Sequence, residues 1–356
     1  MPPSLTIGRR VIGPGEPTYF VADVAANHDG DLGRAKALIH EAAAAGADAA
    51  KFQNFLAATI VSDYGFKALG GQQSHQAKWR KSVFAVYEDA SLPIAWTRTL
   101  RETCAEAGID YFTSPYDLSL VDILEPCVCA WKIGSGDITW HAMIERLARG
   151  GRPLLIATGA SHMDEVRLAL DVALRHTKDI VLMQCNTNYT VSAENFRHIA
   201  LNVLTTYARE FPDLILGLSD HTPGHTTVLG AVALGARVVE KHFTDDTGRE
   251  GPDHRFSMDP SSWREMVDRT RELEAALGPF EKRVMSNEQE TVVLQRRAVR
   301  AARAIKAGER LAETDLTVLR PCPADALPPH RMAEILGRAA RRDIPAGDVV
   351  RLGDVE

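Results

Sequence analysis

The chain has 356 residues, of which 45% are apolar and 25% charged, and its formal net charge is −6. These proportions are typical of a globular protein and argue against low complexity. No stretch reaches the roughly 18 consecutive apolar residues of a membrane span, and the acidic balance gives no reason to expect nucleic acid. We therefore expect neither a membrane nor a nucleic acid as a partner.

The N-terminal segment and the cysteines indicate the cellular compartment. Arg9 and Arg10 are not followed by the apolar region and small-residue cleavage site of a secretory signal. The five cysteines are an odd number and include no Cys-x-x-Cys pair, which indicates reduced thiols. Together these features predict a cytoplasmic protein.

Residues 1–280 alternate short apolar runs with amphipathic segments. The predicted strands are Tyr19–Ala25, Ala49–Asn54, Tyr111–Ser114, Ala130–Gly134, Leu154–Thr158, Ile180–Asn186, Ile215–Ser219 and Val238–Phe243. The predicted helices are Leu32–Ala45, Ile94–Ala107, Ser119–Leu124, Trp140–Ala148, Met163–Leu174, Ala193–Tyr207, His225–Leu234 and Ser262–Leu277. Apolar strands that alternate with helices form parallel sheets, and eight such units predict a (β/α)8 TIM barrel. A doubly wound sheet is disfavoured because no Gly-x-Gly-x-x-Gly motif follows the first strand.

The pattern changes after the barrel. Residues 281–297 are polar and charged and predict a linker, with a helix over Glu281–Leu294 as the alternative. Residues 298–356 contain short segments with turn signals, such as Ala307-Gly308-Glu309 and Pro345-Ala346-Gly347, and predict a small, mostly β domain. Roughly 60 residues is small for an independent core, so we expect this domain to need a partner surface.

One connection within the barrel is unusually long. It runs from Leu56 to Leu92 and carries polar and aromatic side chains, namely Asp63, Tyr64, Lys67, Gln72, Gln73, His75 and Trp79. Long loops on the carboxyl-terminal face of a barrel often contribute to the active site, and we expect this one to do so.

Two lysines lie inside predicted apolar strands. Buried Lys51 and Lys132 are costly without an anionic partner, and a neighbouring carboxylate is the simplest partner for either one. Thr113, Ser135 and Ser219 are predicted at the same rim, because functional side chains of a barrel sit at the carboxyl ends of its strands. The set favours a phosphate or carboxylate ligand.

Two histidines end consecutive predicted strands. A single histidine at the position of His221 or His242 is more often a hydrogen-bonded core residue, but neighbouring neutral imidazoles can share a divalent metal. Asp23 is predicted as a third ligand, an acid–base group or a helix cap. His28, His75 and His254 are weaker candidates in exposed loops.

The strand ends, taken as a set, resemble the sialic acid synthase family. The motifs that carry the resemblance are Val21-Ala22-Asp23 with Asn27-His28-Asp29-Gly30-Asp31, Ala45 to Gln53, Phe112-Thr113-Ser114-Pro115-Tyr116-Asp117, Lys132-Ile133-Gly134-Ser135-Gly136-Asp137, Ser219-Asp220-His221-Thr222, Glu240-Lys241-His242-Phe243 and Gly251-Pro252-Asp253-His254. The tail, with Leu319-Arg320-Pro321 and Leu327-Pro328-Pro329, resembles the family's antifreeze-like C-terminal (SAF-type) domain. The family condenses phosphoenolpyruvate with an N-acetylated hexosamine in its open aldehyde form.

The resemblance implies a role for each matching residue. Phosphoenolpyruvate would be held by Lys51, Thr113, Lys132, Ser135 and Ser219. The acceptor sugar would be contacted by Gln53, Asp137, Tyr189, Asp253 and Arg320, the last from the other subunit of a domain-swapped homodimer. His221 and His242 would bind a divalent metal, Mn2+ or alternatively Mg2+ or Co2+, and Asp23 would act beside them as a catalytic carboxylate.

Some positions depart from the family pattern. Asp23 and Asp137 stand where glutamate is usual, and Ala157 replaces a frequent serine. The sixth strand end, Cys185 to Tyr189, lacks the commoner Tyr-Pro pair. The acceptor therefore stays open, from N-acetylmannosamine to a non-standard aldehyde. A Schiff-base aldolase and a catalytically dead sugar-binding or assembly protein are the alternative interpretations.

Overall fold

A computed structural model describes residues 3–70, 76–77 and 79–356. Gln72, Gln73 and His75 of the long predicted loop lie outside the described residues. The chain divides into two compact units, with the boundary between Gly278 and Pro279. None of the described helices is long and apolar enough to cross a bilayer.

The first unit is a closed barrel of eight parallel strands, as the alternating pattern predicts. In chain order the strands are β1 Tyr19–Asp23, β2 Ala49–Asn54, β3 Asp110–Pro115, β4 Trp131–Ile133, β5 Leu154–Ala157, β6 Ile180–Cys185, β7 Ile215–Asp220 and β8 Ala236–His242. Each strand pairs with the next along the chain, and β8 returns to pair with β1. The strands are almost fully buried because their apolar side chains pack both inside the barrel and against the surrounding helices.

Helices surround the strands. In the first unit they are α1 Leu32–Ala44, α2 Ala57–Ile60, α3 Asp63–Ala68, α4 Val83–Ala90, α5 Thr97–Ala107, α6 Leu118–Leu124, α7 His141–Arg149, α8 Met163–Leu174, α9 Val203–Glu210, α10 Thr226–Ala233 and α11 Pro260–Leu277. Asp31 caps α1 by accepting a hydrogen bond from the Arg34 amide at 2.8 Å. Helices α2, α3 and α4 lie in the long connection between β2 and β3, where the sequence predicts only a loop.

One predicted helix is wrong. The segment Ala193–Tyr207 is not continuous, because a 3-10 turn over Ala193–His198 is separated from α9. Between them Ala200 has a φ of 52°, a left-handed backbone conformation that a right-handed α-helix does not contain. Periodicity alone did not reveal this break.

A short antiparallel hairpin, Leu5–Ile7 with Arg10–Ile12, precedes the barrel. Near it, the Arg10 side chain pairs with Asp48, which begins the approach to β2. Tyr19 OH donates to Asp110 Oδ2 at 2.8 Å, at the amino ends of β1 and β3. These polar contacts therefore lie at the end of the barrel opposite the strand ends singled out above.

The second unit contains α12 Gln289–Gln295 and one antiparallel pair, β9 Ala298–Ala301 with β10 Leu316–Leu319. The remainder consists of turns, short 3-10 segments and isolated bridges around a small apolar core. The predicted architecture of a barrel followed by a small domain with antiparallel strands is confirmed. Helix α12 covers seven residues of the stretch predicted as a linker.

An internal repeat organises the second unit. Residues 303–315 and 342–354 share the pattern Arg-x-Ile-x-Ala-Gly-acidic and end in aspartate. In the first copy Arg303 Nε donates to Asp315 at 2.8 Å, and in the second Arg342 Nε donates to Asp354 at 2.7 Å. The copies bind each other through both backbone bonds between Ile305 and Ile344, at 2.8 and 2.9 Å. Gly308 and Gly347 both adopt left-handed φ values, 85° and 84°, that favour glycine.

Candidate active site

The carboxyl ends of the barrel strands surround a chamber of about 370 Å³. Its walls include most of the side chains predicted for the site, namely Asp23, Lys51, Gln53, Lys132, Ser135, Asp137, Tyr189, Ser219, His221, His242 and Asp253. The long β2–β3 connection also lines the chamber, through Ile60, Gln76, Trp79 and Tyr87. A larger cavity of about 730 Å³ shares Trp79 and Tyr189 with the chamber.

The two lysines of the chamber face buried carboxylates. Lys51 Nζ lies 2.7 Å from Asp23 Oδ2 and 3.5 Å from Glu240 Oε1, while Lys132 Nζ lies 3.4 Å from the same glutamate oxygen. Burial is the largest single influence on the pKa of Lys51 and lowers it, but the carboxylates of Asp23 and Glu240 together raise that pKa above its ordinary value. Lys51 is therefore an ammonium ion.

Glu240 is the carboxylate shared by both lysines. Ser219 Oγ donates to its Oε1 at 3.2 Å. Its Oε2 is buried and has no hydrogen-bond partner among the described residues. A buried polar atom without a partner is costly, so this oxygen marks a place where water or a ligand hydroxyl would be stabilised.

The two histidines lie side by side. The ring centroids of His221 and His242 are 5.4 Å apart, on the neighbouring strands β7 and β8. His221 Nδ1 donates to the Asn186 carbonyl oxygen at 3.2 Å. Burial lowers the pKa of His221, but the hydrogen bond and charge of Cys185 and the charge of Asp220 together raise it above its ordinary value. Burial first, and then the positive charges around His221 and Lys51, hold the pKa of His242 well below its ordinary value. His242 is therefore a neutral imidazole, the form that binds metals.

Aromatic rings enclose the imidazoles. Tyr189 lies 4.4 Å from His221 and 5.0 Å from Phe256 between ring centroids, and Phe256 lies 4.8 Å from His242. The rings keep the imidazole pair among low-dielectric neighbours, which strengthens any electrostatic interaction made there.

Two further carboxyl groups line the chamber. Burial raises the pKa of Asp137 to about 6 against the lowering effect of Lys132. Burial likewise raises the pKa of Asp253 to about 6, although the Ala26 amide donates to its Oδ2 at 3.1 Å and opposes the shift. These groups exchange protons near neutral pH, as acid–base groups do in enzymes.

Gly159 follows β5 and contacts Ser135, which lines the chamber. Its amide donates to Ser135 Oγ at 2.9 Å. A Cβ atom at this position would lie 1.9 Å from Thr187 Oγ1 and 2.8 Å from Ser135 Oγ, so a side chain does not fit. The glycine lets the backbone approach and fix the Ser135 hydroxyl.

Comparison with known proteins gives the family. Residues 38–282 match the model of the NeuB family, and residues 296–356 match the SAF domain. The chain belongs to the NeuB family. The N,N'-diacetyllegionaminic acid synthase of Campylobacter jejuni subsp. jejuni is 32% identical and the pseudaminic acid synthase of the same organism 31% identical. The alignments cover 94% of this chain and 99% of the first relative, and 95% of this chain and 96% of the second.

A solved structure gives the same result. The N-acetylneuraminic acid (sialic acid) synthetase of Leptospira borgpetersenii, in complex with citrate, superposes with a TM-score of 0.71 at 26% identity. The match covers 82% of this chain and 96% of that structure. The resemblance to sialic acid synthases and the expectation of an enzyme of the acid-synthase type are thus confirmed.

Two predicted site residues of this NeuB-family chain lie apart from the rest. Thr113 is fully buried at the rim, and its Oγ1 lies 2.8 Å from both the Phe52 carbonyl oxygen and Asn54 Oδ1, so it bonds within the strands. Arg320 lies in the second unit, where it is exposed directly after β10. Its contact with an acceptor stays a prediction.

The loop histidines His28 and His254 are not exposed, contrary to expectation. His28 is 1% exposed, and burial lowers its pKa to about 4. His254 bonds Thr244 Oγ1 at 2.7 Å through Nδ1 and Asp29 Oδ1 at 2.9 Å through Nε2. These hydrogen bonds connect the β1–α1 loop to the segment that carries Asp253, although the two loops are distant in sequence.

The sequence interpretation assigned no role to Glu240, which faces both lysines, or to Phe256, which packs against His242. Glu240 precedes His242 by two residues on one strand, so the alternation of side chains along β8 places both on the same face. That signal was available. Phe256 sits in a 3-10 turn over His254–Phe256, where no periodicity relates it to the strand ends.

The chamber presents an imidazole pair that could hold a divalent metal. The buried His242 Nδ1, which has no hydrogen-bond partner in the described part of the chain, is available for coordination. His221 would offer its Nε2 in the neutral form, since its Nδ1 donates to the Asn186 carbonyl oxygen. Asp23 Oδ2 is 3.5 Å from His242 Nε2. Across residues 3–70, 76–77 and 79–356, no three His, Cys, Asp or Glu side chains form a complete ligand set. A metal held by this histidine pair would keep positions for water and substrate, as catalytic sites do.

The raised pKa of Asp137 predicts a pH-dependent effect on stability. Because the pKa rises from 3.8 in the unfolded chain to about 6 in the folded protein, the folded state binds more protons between these values. The ionised form then destabilises the fold as pH rises, and the cost is fully present above pH 6. We expect Asp137→Asn to remove this cost. The free energy of unfolding of the variant, relative to that of the wild type, should therefore be about 2 kcal/mol larger at pH 7.5 than at pH 4.5.

Urea unfolding at both pH values measures this difference. Asp213→Asn, which changes an exposed aspartate before β7, is the matched control and leaves the difference unchanged. Equal shifts for both variants would contradict the assignment to Asp137.

Proposed function

We propose that this NeuB-family enzyme condenses phosphoenolpyruvate with the open-chain aldehyde of an aldose, N-acetylmannosamine or a related sugar. The products are a nonulosonic-type 2-keto-3-deoxy sugar acid and phosphate, released by C–O cleavage. The observation that carries the proposal is the placement of Lys51 and Lys132 beside His221 and His242 in one closed-barrel chamber. Cations suit the enol phosphate, and the imidazole pair suits a divalent metal.

The lysines supply the anion site. In the absence of ligand their charges are balanced by Asp23 and Glu240. The carboxylate and phosphate of phosphoenolpyruvate would take over part of this pairing, together with the hydroxyls of Ser135 and Ser219. In a buried site such charge pairs stabilise the developing negative charge on the departing phosphate more strongly than in water.

The metal is proposed as Mn2+, with Mg2+ or Co2+ as alternatives, held by His221 and His242. When bound, it supplies Lewis acidity that polarises the acceptor aldehyde. The chain's own residues orient the partners: Gln53, Tyr189 and Asp253 face the acceptor side, and Gln53 Nε2 also donates to Asp23 Oδ2 at 3.0 Å.

The carboxyl groups move the protons. C3 of phosphoenolpyruvate bonds to the aldehyde carbon, and Asp253, which keeps a proton to about pH 6, donates it to the aldehyde oxygen. Water adds at C2 while Asp23 accepts its proton. The bond between C2 and the bridging phosphate oxygen of this tetrahedral intermediate then breaks. The C2 hydroxyl becomes the keto carbonyl as its proton passes to the Asp253 carboxylate, and phosphate leaves with the proton that Asp23 had accepted.

The aldolase alternative requires a neutral lysine as nucleophile. The raised pKa of Lys51, paired with Asp23 at 2.7 Å, opposes that role. Borohydride trapping with pyruvate tests it directly: a covalent lysine adduct would favour the aldolase.

Phosphate release from phosphoenolpyruvate is the primary test. The panel of acceptors includes N-acetylmannosamine, 6-deoxy diamino sugars and non-acylated aldehydes, because the relatives above are named for different sugar acids. Each acceptor is assayed with Mn2+ and after chelation. No release with any of them would support the catalytically dead alternative.

Isotope labelling tests the bond that breaks. With 18O in the bridging C2–O position of phosphoenolpyruvate, we expect the label in phosphate, because the C–O bond is cleaved. Mass spectrometry of both products reads the result. Label retained in the keto acid would show P–O cleavage instead.

The prediction of a domain-swapped homodimer, with Arg320 contacting the acceptor of the partner's site, is part of the proposal. It is supported by the second unit's match to the SAF domain and by the exposure of Arg320. The cytoplasmic location also stays a prediction.

A further inference from the structure

Asp220 and Lys241 form a buried ion pair on β7 and β8. Their Cα atoms are register partners, and both side chains are 1% exposed. Successive side chains of a strand point to opposite faces. Since Ser219, His221 and His242 line the chamber, the pair lies on the other face of the same two strands.

The pair is the centre of a hydrogen-bond network. Lys241 Nζ donates to Asp220 Oδ2 and, at 2.5 Å, to the Thr222 carbonyl oxygen. The same Asp220 oxygen accepts from Thr222 Oγ1 at 2.7 Å and from Thr227 Oγ1 at 2.8 Å. The network therefore joins the end of β7, the loop after it, the first turn of α10 and strand β8.

A stabilising role does not by itself account for the pair. Burying two charges carries a desolvation cost, and a well-packed apolar pair is often as stable or more so. Each charged residue directly precedes a chamber imidazole in the chain, Asp220 before His221 and Lys241 before His242. Any relative movement of the two strand ends would change both the network and the separation of the imidazoles.

We propose that Asp220 and Lys241 are positioning residues that hold His221 and His242 at the separation required to bind a divalent metal. The inference rests on the proposed function, in that it takes the histidine pair as the metal ligands. Neither residue of the pair touches metal or substrate. Their effect is transmitted through the backbone of β7 and β8.

The test is the double variant Asp220→Asn/Lys241→Met, which removes both charges and leaves no buried ion without a partner. Binding of Mn2+ to the full chain is followed by the loss of the free-ion EPR signal. We expect the Kd for Mn2+ to rise about tenfold or more, in the range seen when supporting residues of metal ligands are changed. Phosphoenolpyruvate binding, measured by calorimetry, is expected to be unchanged because Lys51, Lys132 and Ser219 remain.

The matched control is Asp110→Asn, which alters a half-buried carboxyl at the opposite end of the barrel. It is expected to leave the Kd for Mn2+ unchanged. If the double variant does not fold by circular dichroism, Thr227→Val removes one hydrogen bond to Asp220 without changing charge and is expected to weaken Mn2+ binding less.

Three results would overturn the inference: wild-type affinity for Mn2+ in the folded double variant, wild-type affinity in Thr227→Val where the double variant does not fold, or no Mn2+ binding by the wild type. Phosphate release by the wild type tests the proposed function separately from Mn2+ binding. A failure of the proposed function is thereby distinguished from a failure of the positioning role.

Discussion

Replacing His242 with alanine is expected to reduce turnover by about a thousandfold or more, because the chamber loses one of its two metal-ligand candidates. The fold should survive, since His242 Nδ1 has no hydrogen-bond partner in the described residues and its nearest charged neighbour, Asp23, keeps its bond to Lys51. Steady-state kinetics with added Mn2+ and EPR titration of Mn2+ measure the two losses.

His225→Ala is the matched control, since His225 follows the same strand as His221 and is half-buried at the start of α10. It should retain both activity and Mn2+ binding. Full activity of His242→Ala in chelator-treated buffer would refute the metal assignment.

Lys132→Met is expected to lower kcat/KM for phosphoenolpyruvate by about a thousandfold, equivalent to about 4 kcal/mol. The variant removes a buried cation from the proposed phosphate and carboxylate site. Glu240 keeps a second cation, since Lys51 Nζ lies 3.5 Å from its Oε1, and the carboxylate is not left without a counter-charge. Lys51→Met would be less informative, because it removes the lysine that pairs with Asp23 at 2.7 Å and threatens the fold.

The kinetic pattern separates the interpretations. If Lys132 holds the enol phosphate, kcat/KM for phosphoenolpyruvate falls while the thermal midpoint stays near that of the wild type. Lys36→Met, at an exposed position of α1, should change neither quantity. An unchanged kcat/KM in Lys132→Met would mean that the lysine has only the structural role of pairing with Glu240.

The buried lysines had two interpretations, pairing with a neighbouring carboxylate and binding of an anionic ligand, and the two are compatible. The structure shows a neighbouring carboxylate for each lysine. Yet Glu240 Oε2 has no hydrogen-bond partner among the described residues. Lys132 Nζ lies 3.4 Å from Glu240 Oε1, a looser pairing than that of Lys51 with Asp23. The carboxylates therefore balance the cations without filling the chamber.

Eight strands and the relative position of their ends were predictable because they depend on local patterns. Apolar runs separated by amphipathic segments specify strand and helix, and parallel connectivity then brings all carboxyl ends to one rim. Lys51, Lys132, His221 and His242 could be grouped on that basis alone. The break at Ala200 could not, because one left-handed residue interrupts a helical pattern without altering its hydrophobic period.

The alternation of side chains between the two faces of a strand could have been used further. Alternation places Glu240 with His242 and assigns Asp220 and Lys241 to the other face, although neither conclusion was drawn from the sequence. For Thr113 the position at the rim was predictable, but the hydrogen-bond partners of its hydroxyl, Phe52 and Asn54, were not. Which neighbour a rim hydroxyl meets depends on the register between strands.

By itself the sequence determined the barrel, the appended small domain and the identity of the groups at the rim, because short-range hydrophobic periodicity and strand order are sufficient for these. Only the tertiary structure decided which charges meet: that Glu240 serves both lysines, that His254 is buried against Asp29, and that the Asp220–Lys241 pair lies behind the histidines. Such pairings join residues far apart in the chain, and their distances follow from barrel closure and strand register, which no local pattern encodes.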